Sequence, residues 1–345
     1  MKDYVNWAIL APGNIARAMA RAMQGTKGKV HLYAVGSRDL NRAKEFAGQY
    51  GFEKYYGSYD ELISDPEVDA VYVANPHAFH FESVIRCLEN GKHVLCEKPA
   101  GCNISQLNQM IEKACDKNLF FMEAMWTAFN PCLKKVRECI SQGTIGEVKH
   151  IQSYFCNRVP FDAESRLWSP DLAGGALLDL GIYNIYFSMM MNDFRPIVNH
   201  GSTVKFCNSV DSWENVTLVF DNKITATFES SVEISSGSDT HDATIYGTKG
   251  YVKLRNFFMA QEASVHLYEG QYGNENSVSG KIEAPFKING YEYELEDATE
   301  CILNGKIESD VHSHDKSIEL CNLMDILRRD WNFKYPFEDF TENEA

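Results

Sequence analysis

Trp7-Ala8-Ile9-Leu10-Ala11-Pro12-Gly13-Asn14-Ile15-Ala16 is the stretch that decides the fold. Its first four residues form a short apolar strand, and the spacing of Ile15, Met19, Ala22 and Met23 predicts a helix directly after the turn. A strand, a tight turn and a helix N-terminus make a phosphate-binding element, because free backbone N–H groups and the helix dipole face the anion. Ala11 and Ala16 stand where the first and third glycines of the usual fingerprint would be. Gly13, where backbone must approach a pyrophosphate, is kept, so Ala11, Pro12, Gly13, Asn14 and Ile15 are the expected phosphate turn. An ordinary βα turn also reads this way, and the following strands arbitrate.

The next strand, His31-Leu32-Tyr33-Ala34-Val35-Gly36, ends in Ser37-Arg38-Asp39. A guanidinium can hold a 2′-phosphate in bidentate fashion, so Ser37 and Arg38 point to NADP(H) rather than NAD(H), while Asp39 reads as a helix N-cap. A helix over 41–50 follows, then Asp69-Ala70-Val71-Tyr72-Val73-Ala74 as a buried strand broken by Asn75-Pro76. Phe81, Val84, Ile85 and Leu88 recur at helical spacing up to Asn90-Gly91. Val94-Leu95-Cys96 is another strand, and it delivers Glu97, Lys98 and Pro99. The alternation predicts an α/β Rossmann domain, a doubly wound parallel sheet over residues 1–124. Ligands of such sheets bind beyond the carboxyl ends of the strands. Ala74, Asn75, Pro76, His77, His80 and Glu97 are therefore expected beside the cofactor, His77 and His80 as nicotinamide neighbours or as structural histidines. No third metal ligand accompanies that histidine pair, and no metal is expected.

Composition sets limits. With 33 basic against 48 acidic residues, net charge −15, the chain lacks the basic surface that nucleic acid or anionic membrane would require. Ten cysteines at irregular spacing, without a Cys-x-x-Cys pair, read as reduced thiols. Met1-Lys2-Asp3-Tyr4 enters a strand at once, with no signal-peptide pattern or apolar stretch of spanning length, and a cytoplasmic location is expected.

After Trp126 the alternation stops. A strand over 147–158 and a loop carrying Arg158, Phe161, Arg166 and Trp168 lead to Gly174-Gly175-Ala176-Leu177-Leu178-Asp179-Leu180-Gly181-Ile182-Tyr183, which opens a helix to about Met190. Asp179 and Tyr183 are four apart, so they stack on one face. Gly181 inside the helix indicates a close neighbour against its backbone. Hairpins over 213–232 and 242–254, less regular strands near 265–268, and helices over 292–303 and 314–330 follow. Residues 125–345 thus read as an α+β domain with a large, open, mostly antiparallel sheet, its last helix free to pack on the first domain.

Cys96-Glu97-Lys98-Pro99, the Gly174-to-Asp179 helix start and Thr244-Ile245-Tyr246-Gly247-Thr248-Lys249-Gly250 resemble the glucose-fructose, inositol and related (Gfo/Idh/MocA) dehydrogenase family over essentially the whole chain. Met122-Glu123-Ala124-Met125-Trp126-Thr127 and Asp179-to-Tyr183 are similar to its branch of dimeric dihydrodiol dehydrogenases and NADP-dependent xylose dehydrogenases, in which tyrosine is expected where other members have histidine. Ala11 and Ala128 depart from the family pattern. The resemblance implies hydride transfer between NADP and a secondary alcohol or carbonyl of a sugar, polyol or cyclic diol. In it Tyr183 is the acid/base, with a phenol lowered toward working pH by Lys98, which also polarises the substrate oxygen. Asp179 orients the lysine or a substrate hydroxyl. Trp126, Phe155 and Arg158 are expected on the substrate, and Trp168 as an apolar wall that also touches cofactor. A homodimer, or a dimer of dimers, through the open sheet is implied. An NAD-linked inositol or sugar-acid dehydrogenase, and a dinucleotide-binding regulator without catalysis, are the other readings.

Overall fold

A computed structural model describes residues 3–26, 28–235, 241–269 and 275–338. The first half alternates as expected: β1 (Val5–Leu10), α1 (Asn14–Gly25), β2 (Val30–Gly36), α2 (Leu40–Tyr50), β3 (Lys54–Tyr56), α3 (Tyr59–Ser64), β4 (Ala70–Val73), α4 (His80–Glu89), β5 (His93–Glu97), α5 (Ile104–Lys117) and β6 (Phe121–Ala124). The strands pair in parallel in the order β3-β2-β1-β4-β5-β6. The order reverses between β1 and β4, the switch point outside which such sheets bind ligand. Every residue of β1 and β4 is buried, as both faces of a helix-covered parallel sheet require.

Next come α6 (Pro131–Ser141), β7 (Val148–Cys156), a π-helical turn at Leu177–Gly181, α7 (Ile182–Met191), β8 (Ile197–Cys207), β9 (Val210–Phe220), β10 (Thr225–Ser231), β11 (Ala243–Gly247), β12 (Gly250–Leu254), β13 (Glu262–Glu269) and β14 (Glu275–Glu283). They form an eight-stranded sheet, β14-β13-β12-β11-β7-β10-β9-β8. Every pairing is antiparallel except β7 with β10. All ten residues of α7 are buried, and the helix covers one face of this sheet.

Two departures from the sequence expectation have physical causes. The helix expected from Gly174 begins as the π-helical turn, which widens the backbone before α7 takes over. Edge strand β8 went unread because its residues are half-buried or exposed, leaving no run of buried apolar positions to find.

The chain closes with α8 (Glu292–Leu303) and α9 (His314–Asp330), and both return to the first sheet. Leu295, Ala298 and Cys301 of α8 join the core built around Trp7, Met19 and Met23, and the Trp7 indole donates to Thr299 Oγ1 at 3.0 Å. Cys321 of α9 enters the core on the opposite face of the same sheet.

Candidate active site

The phosphate turn fits an anion. Gly13 caps α1 with extended backbone and no side-chain cap bond, so the first-turn N–H groups are left for an outside acceptor. A Cβ added at Gly13 would meet only the Ala74 carbonyl, at 4.0 Å, so the surface above it is open for close backbone approach. Ala11 holds φ at 72°, the left-handed conformation a glycine adopts without strain, at a cost of roughly 1–2 kcal/mol. Beside the turn, Asn75 Oδ1 is buried with no hydrogen-bond partner.

At the end of β2, Asp39 accepts the N–H groups of Asn41 (2.9 Å) and Arg42 (3.2 Å), so its carboxylate is committed to capping α2. Arg38 lies beside Arg42, and both draw on the Tyr59 phenol, which burial raises. Arg42 also reaches back to the Pro12 carbonyl at 3.1 Å. Sequence reading missed Arg42, although its place four residues after Arg38 on a helix start was a usable signal. Ser37 and two arginines, with the Asp39 carboxylate committed to the α2 cap, suit a dinucleotide with a 2′-phosphate.

The Lys98–Pro99 peptide is cis. Two buried groups fix this turn from below. Glu123 accepts the Ala100 N–H at 2.9 Å and is itself held by Ser317 (2.8 Å) and His312 (3.3 Å). His80 faces the carbonyls of Pro99 (2.7 Å) and Asn75 (2.8 Å) with its two ring nitrogens, lacing the β4 turn to the lysine turn. Glu123 was not singled out in the sequence, where a carboxylate inside an apolar strand was the signal.

Lys98 comes from the first sheet, and its ammonium donates to the Asp179 carbonyl at 2.7 Å and to Asp179 Oδ1 at 3.1 Å. Arg166 grips the same carboxylate with two bonds, 3.0 and 3.2 Å. His77 Nε2 stands 3.7 Å from it, and Nδ1 faces the Ala173 carbonyl at 3.2 Å, which assigns the proton to Nδ1. Burial holds His77 well below its ordinary value, so the ring is neutral. Lys98 and Arg166 outweigh the burial of Asp179 and keep its carboxyl far below the usual carboxylate range.

Tyr183 lies just past the Asp179 turn. Its ring centroid is 4.7 Å from the Lys98 ammonium, and its hydroxyl accepts the Trp126 indole N–H at 3.0 Å. Its phenol is raised well above 10, first by burial and then by Tyr291 and Glu97, against the expectation that Lys98 would lower it. The cause is geometric: the ammonium faces the ring and is committed to Asp179. Phe155 stacks on Phe258 (4.2 Å) and flanks Tyr183 (5.5 Å), and Trp126 stacks on Tyr291 (4.2 Å). Phe258 and Tyr291 were not foreseen. Glu97 accepts the Tyr72 hydroxyl, and burial pushes its carboxyl up to about 7. Trp168 is buried and donates to the Pro160 carbonyl at 3.1 Å. Arg158 is exposed on the loop, where Arg166 is the arginine that reaches the centre. Among the described residues, no cluster of three or more His, Cys, Asp or Glu could hold a metal, and no helix is long and apolar enough to cross a membrane.

Comparison with known proteins agrees with this architecture. Residues 5–125 match the family model described as "Oxidoreductase family, NAD-binding Rossmann fold", and residues 133–253 match the GFO/IDH/MocA C-terminal domain. Trans-1,2-dihydrobenzene-1,2-diol dehydrogenase of Xenopus laevis is 32% identical over 340 residues, covering 96% of this chain and 99% of the relative. The Homo sapiens enzyme of the same name is 32% identical over 338 residues, covering 96% and 98%. A 3-ketoreductase from Actinomadura kijaniata, solved with NADP and TDP-benzene, superimposes with a TM-score of 0.83 at 24% identity, covering 94% of this chain and 97% of that one. At that identity the likeness concerns the fold.

Proposed function

Because the chain belongs to the GFO/IDH/MocA oxidoreductase family, with its NAD-binding Rossmann fold, we propose that it is an NADP(H)-dependent dehydrogenase/reductase of a cyclic diol, sugar or polyol. The observation that carries the reading is the meeting of Lys98, from the end of the first sheet, with Asp179 of the π-helical turn and Tyr183 of α7, which cover the second. The nicotinamide, when bound, supplies or accepts the hydride. Everything else falls to the chain.

Tyr183, kept protonated by burial, donates its proton to the carbonyl oxygen during reduction. The Trp126 indole N–H then stabilises the tyrosinate left behind. Lys98 stabilises the developing alkoxide in a site screened from water by aromatic side chains. Asp179 and Arg166 fix the ammonium, and neutral His77 adds no competing charge. Phe155, Phe258 and Trp126 are flat apolar walls, which suits a substrate with a ring face and hydroxyls on its edge. The diol name of the dehydrogenase relatives supports the same substrate class. Arg38, Arg42 and Ser37 would hold the 2′-phosphate, and the α1 N-terminus the pyrophosphate.

The second sheet offers an aromatic outer face for a homodimer, where Tyr251 stacks on His266 (4.5 Å) and Tyr246 lies over His150 (6.0 Å). The functional test is a panel of trans-1,2-dihydrobenzene-1,2-diol, aldoses and polyols with NADP and with NAD, alongside NADPH titration by fluorescence. NADP-linked turnover of a diol or sugar is expected. Tight NADPH binding with no turnover across the panel would point to a regulator instead.

A further inference from the structure

Two buried carboxyl groups on β9 lie beneath the turn that carries Asp179. Along β8, Phe206 pairs with Asp211 and Lys205 with Trp213, so Ser212 is an extra residue in β9. That bulge puts Asp211 and Glu214 on the same, inner face of the sheet, whereas an unbroken strand would place residues three apart on opposite faces. Both side chains are fully buried. Asp211 Oδ2 accepts the Leu177 N–H at 2.6 Å, at the start of the π-helical turn. A Cβ on Gly175 would fall 2.1 Å from Asp211 Oδ1, and φ there is +117°, so only glycine lets the carboxylate enter. A Cβ on Gly181 would fall 2.7 Å from Glu214 Oε1. Gly175 and Gly181, two of the three glycines of the Gly174–Gly181 motif, are thus explained by carboxyl groups of β9. The start of the segment is also tied down, by the Tyr335 hydroxyl on the Gly174 carbonyl at 2.7 Å.

Accepting the reading of Asp179 and Tyr183 given above, we propose that Asp211 and Glu214 are positioning residues for the reaction: one holds the start of the π-helical turn and the other supports its end, and together they set where Asp179 and Tyr183 meet Lys98. Burial pushes Asp211 up to about 7 against the pull of the Leu177 and Ala176 N–H groups, and burial with the neighbouring Asp211 carboxyl holds Glu214 well above the ordinary carboxylate range. Asp211 acts as the acceptor, and Glu214 as a neutral acid packed on Gly181.

The test uses Asp211→Asn, Gly181→Ala and the double variant Gly181→Ala with Glu214→Asp, each assayed for kcat, KM and NADPH affinity, with Tyr183→Phe alongside. Asparagine removes the charge and puts an NH2 either against Gly175 or in place of the oxygen that accepts the Leu177 N–H. Alanine at 181 suits a helix in itself and acts only by displacing what lies against it, chiefly Glu214. Each single variant should lower kcat by about 30- to 100-fold, with NADPH affinity within about twofold of wild type, as expected for a catalytic group moved by a fraction of an ångström. Shortening Glu214 in the double variant should restore at least about tenfold of the loss, a coupling between neighbours. Wild-type kcat in both single variants, or no rescue in the double, overturns the inference, even if Tyr183→Phe is inactive. If Asp211→Asn does not fold, the Gly181–Glu214 cycle decides alone. Turnover by Tyr183→Phe would instead remove the reading on which the inference rests.

Discussion

The indole N–H of Trp126 donates to the phenolic oxygen of Tyr183 at 3.0 Å, joining the end of the first sheet to the helix over the second. This bond lowers the phenol, while burial, Tyr291 and Glu97 raise it. A hydroxyl that must lose its proton inside an apolar pocket therefore depends on the indole. Trp126→Phe keeps an aromatic wall and removes the donor. It should lower kcat about tenfold, the size of one hydrogen bond, and move the alkaline limb of the kcat profile to higher pH. An unchanged profile would dissociate Trp126 from proton transfer.

In the proposed reading, cofactor choice rests on Arg38 and Arg42, because Asp39 is occupied with capping α2. Arg38→Glu places a like charge against the 2′-phosphate. NADP kcat/KM should fall by about a hundredfold, the loss of a bidentate charged contact, while NAD kcat/KM stays level or rises. Arg42→Ala should move both quantities the same way by less. Equal losses for the two cofactors would contradict this assignment.

Glu97 gives a pH signature separate from turnover. Burial raises its carboxyl from 4.5 to about 7, so the folded chain holds a proton that the unfolded chain releases between those values. Its contribution to stability is complete below pH 4.5 and is lost as pH rises through 7. Glu97→Gln removes this dependence. The difference in unfolding free energy between wild type and variant should shift by roughly 3 kcal/mol between pH 4 and pH 8, with wild type losing ground as pH rises. Parallel pH–stability curves for the two proteins would show that folding leaves the Glu97 carboxyl unshifted.

Much of this was legible before the structure. The parallel sheet was readable because strands buried on both faces are short apolar runs punctuated by Gly, Pro and Asn, as at Gly13, Asn75-Pro76 and Asn90-Gly91. Lys98, Asp179 and Tyr183 could be named from strand-end position, spacing and resemblance, and the structure brings them together. Arg166, Phe258, Tyr291 and Asp211 could not. They reach the centre from loops, from a helix start and from a bulged strand, and local periodicity carries no information about long-range approach. The π-helical turn was also hidden, since the Asp211 carboxyl that accepts its first N–H lies in β9, 34 residues further along the chain. Arg158 and Arg166 sit on one loop, and only the folded loop distinguishes the arginine that grips Asp179 from the exposed one.

The central claim is that Tyr183 moves the proton while Lys98 steadies the oxygen, and Tyr183→Phe tests it most directly. The ring and its packing against Phe155 and Phe258 remain, and only the hydroxyl is lost. Turnover of the best substrate in the panel should fall by about a thousandfold, the middle of the range for general acid catalysis, with the NADPH dissociation constant within about twofold of wild type. Turnover within about tenfold of wild type, under the same conditions, would contradict the account.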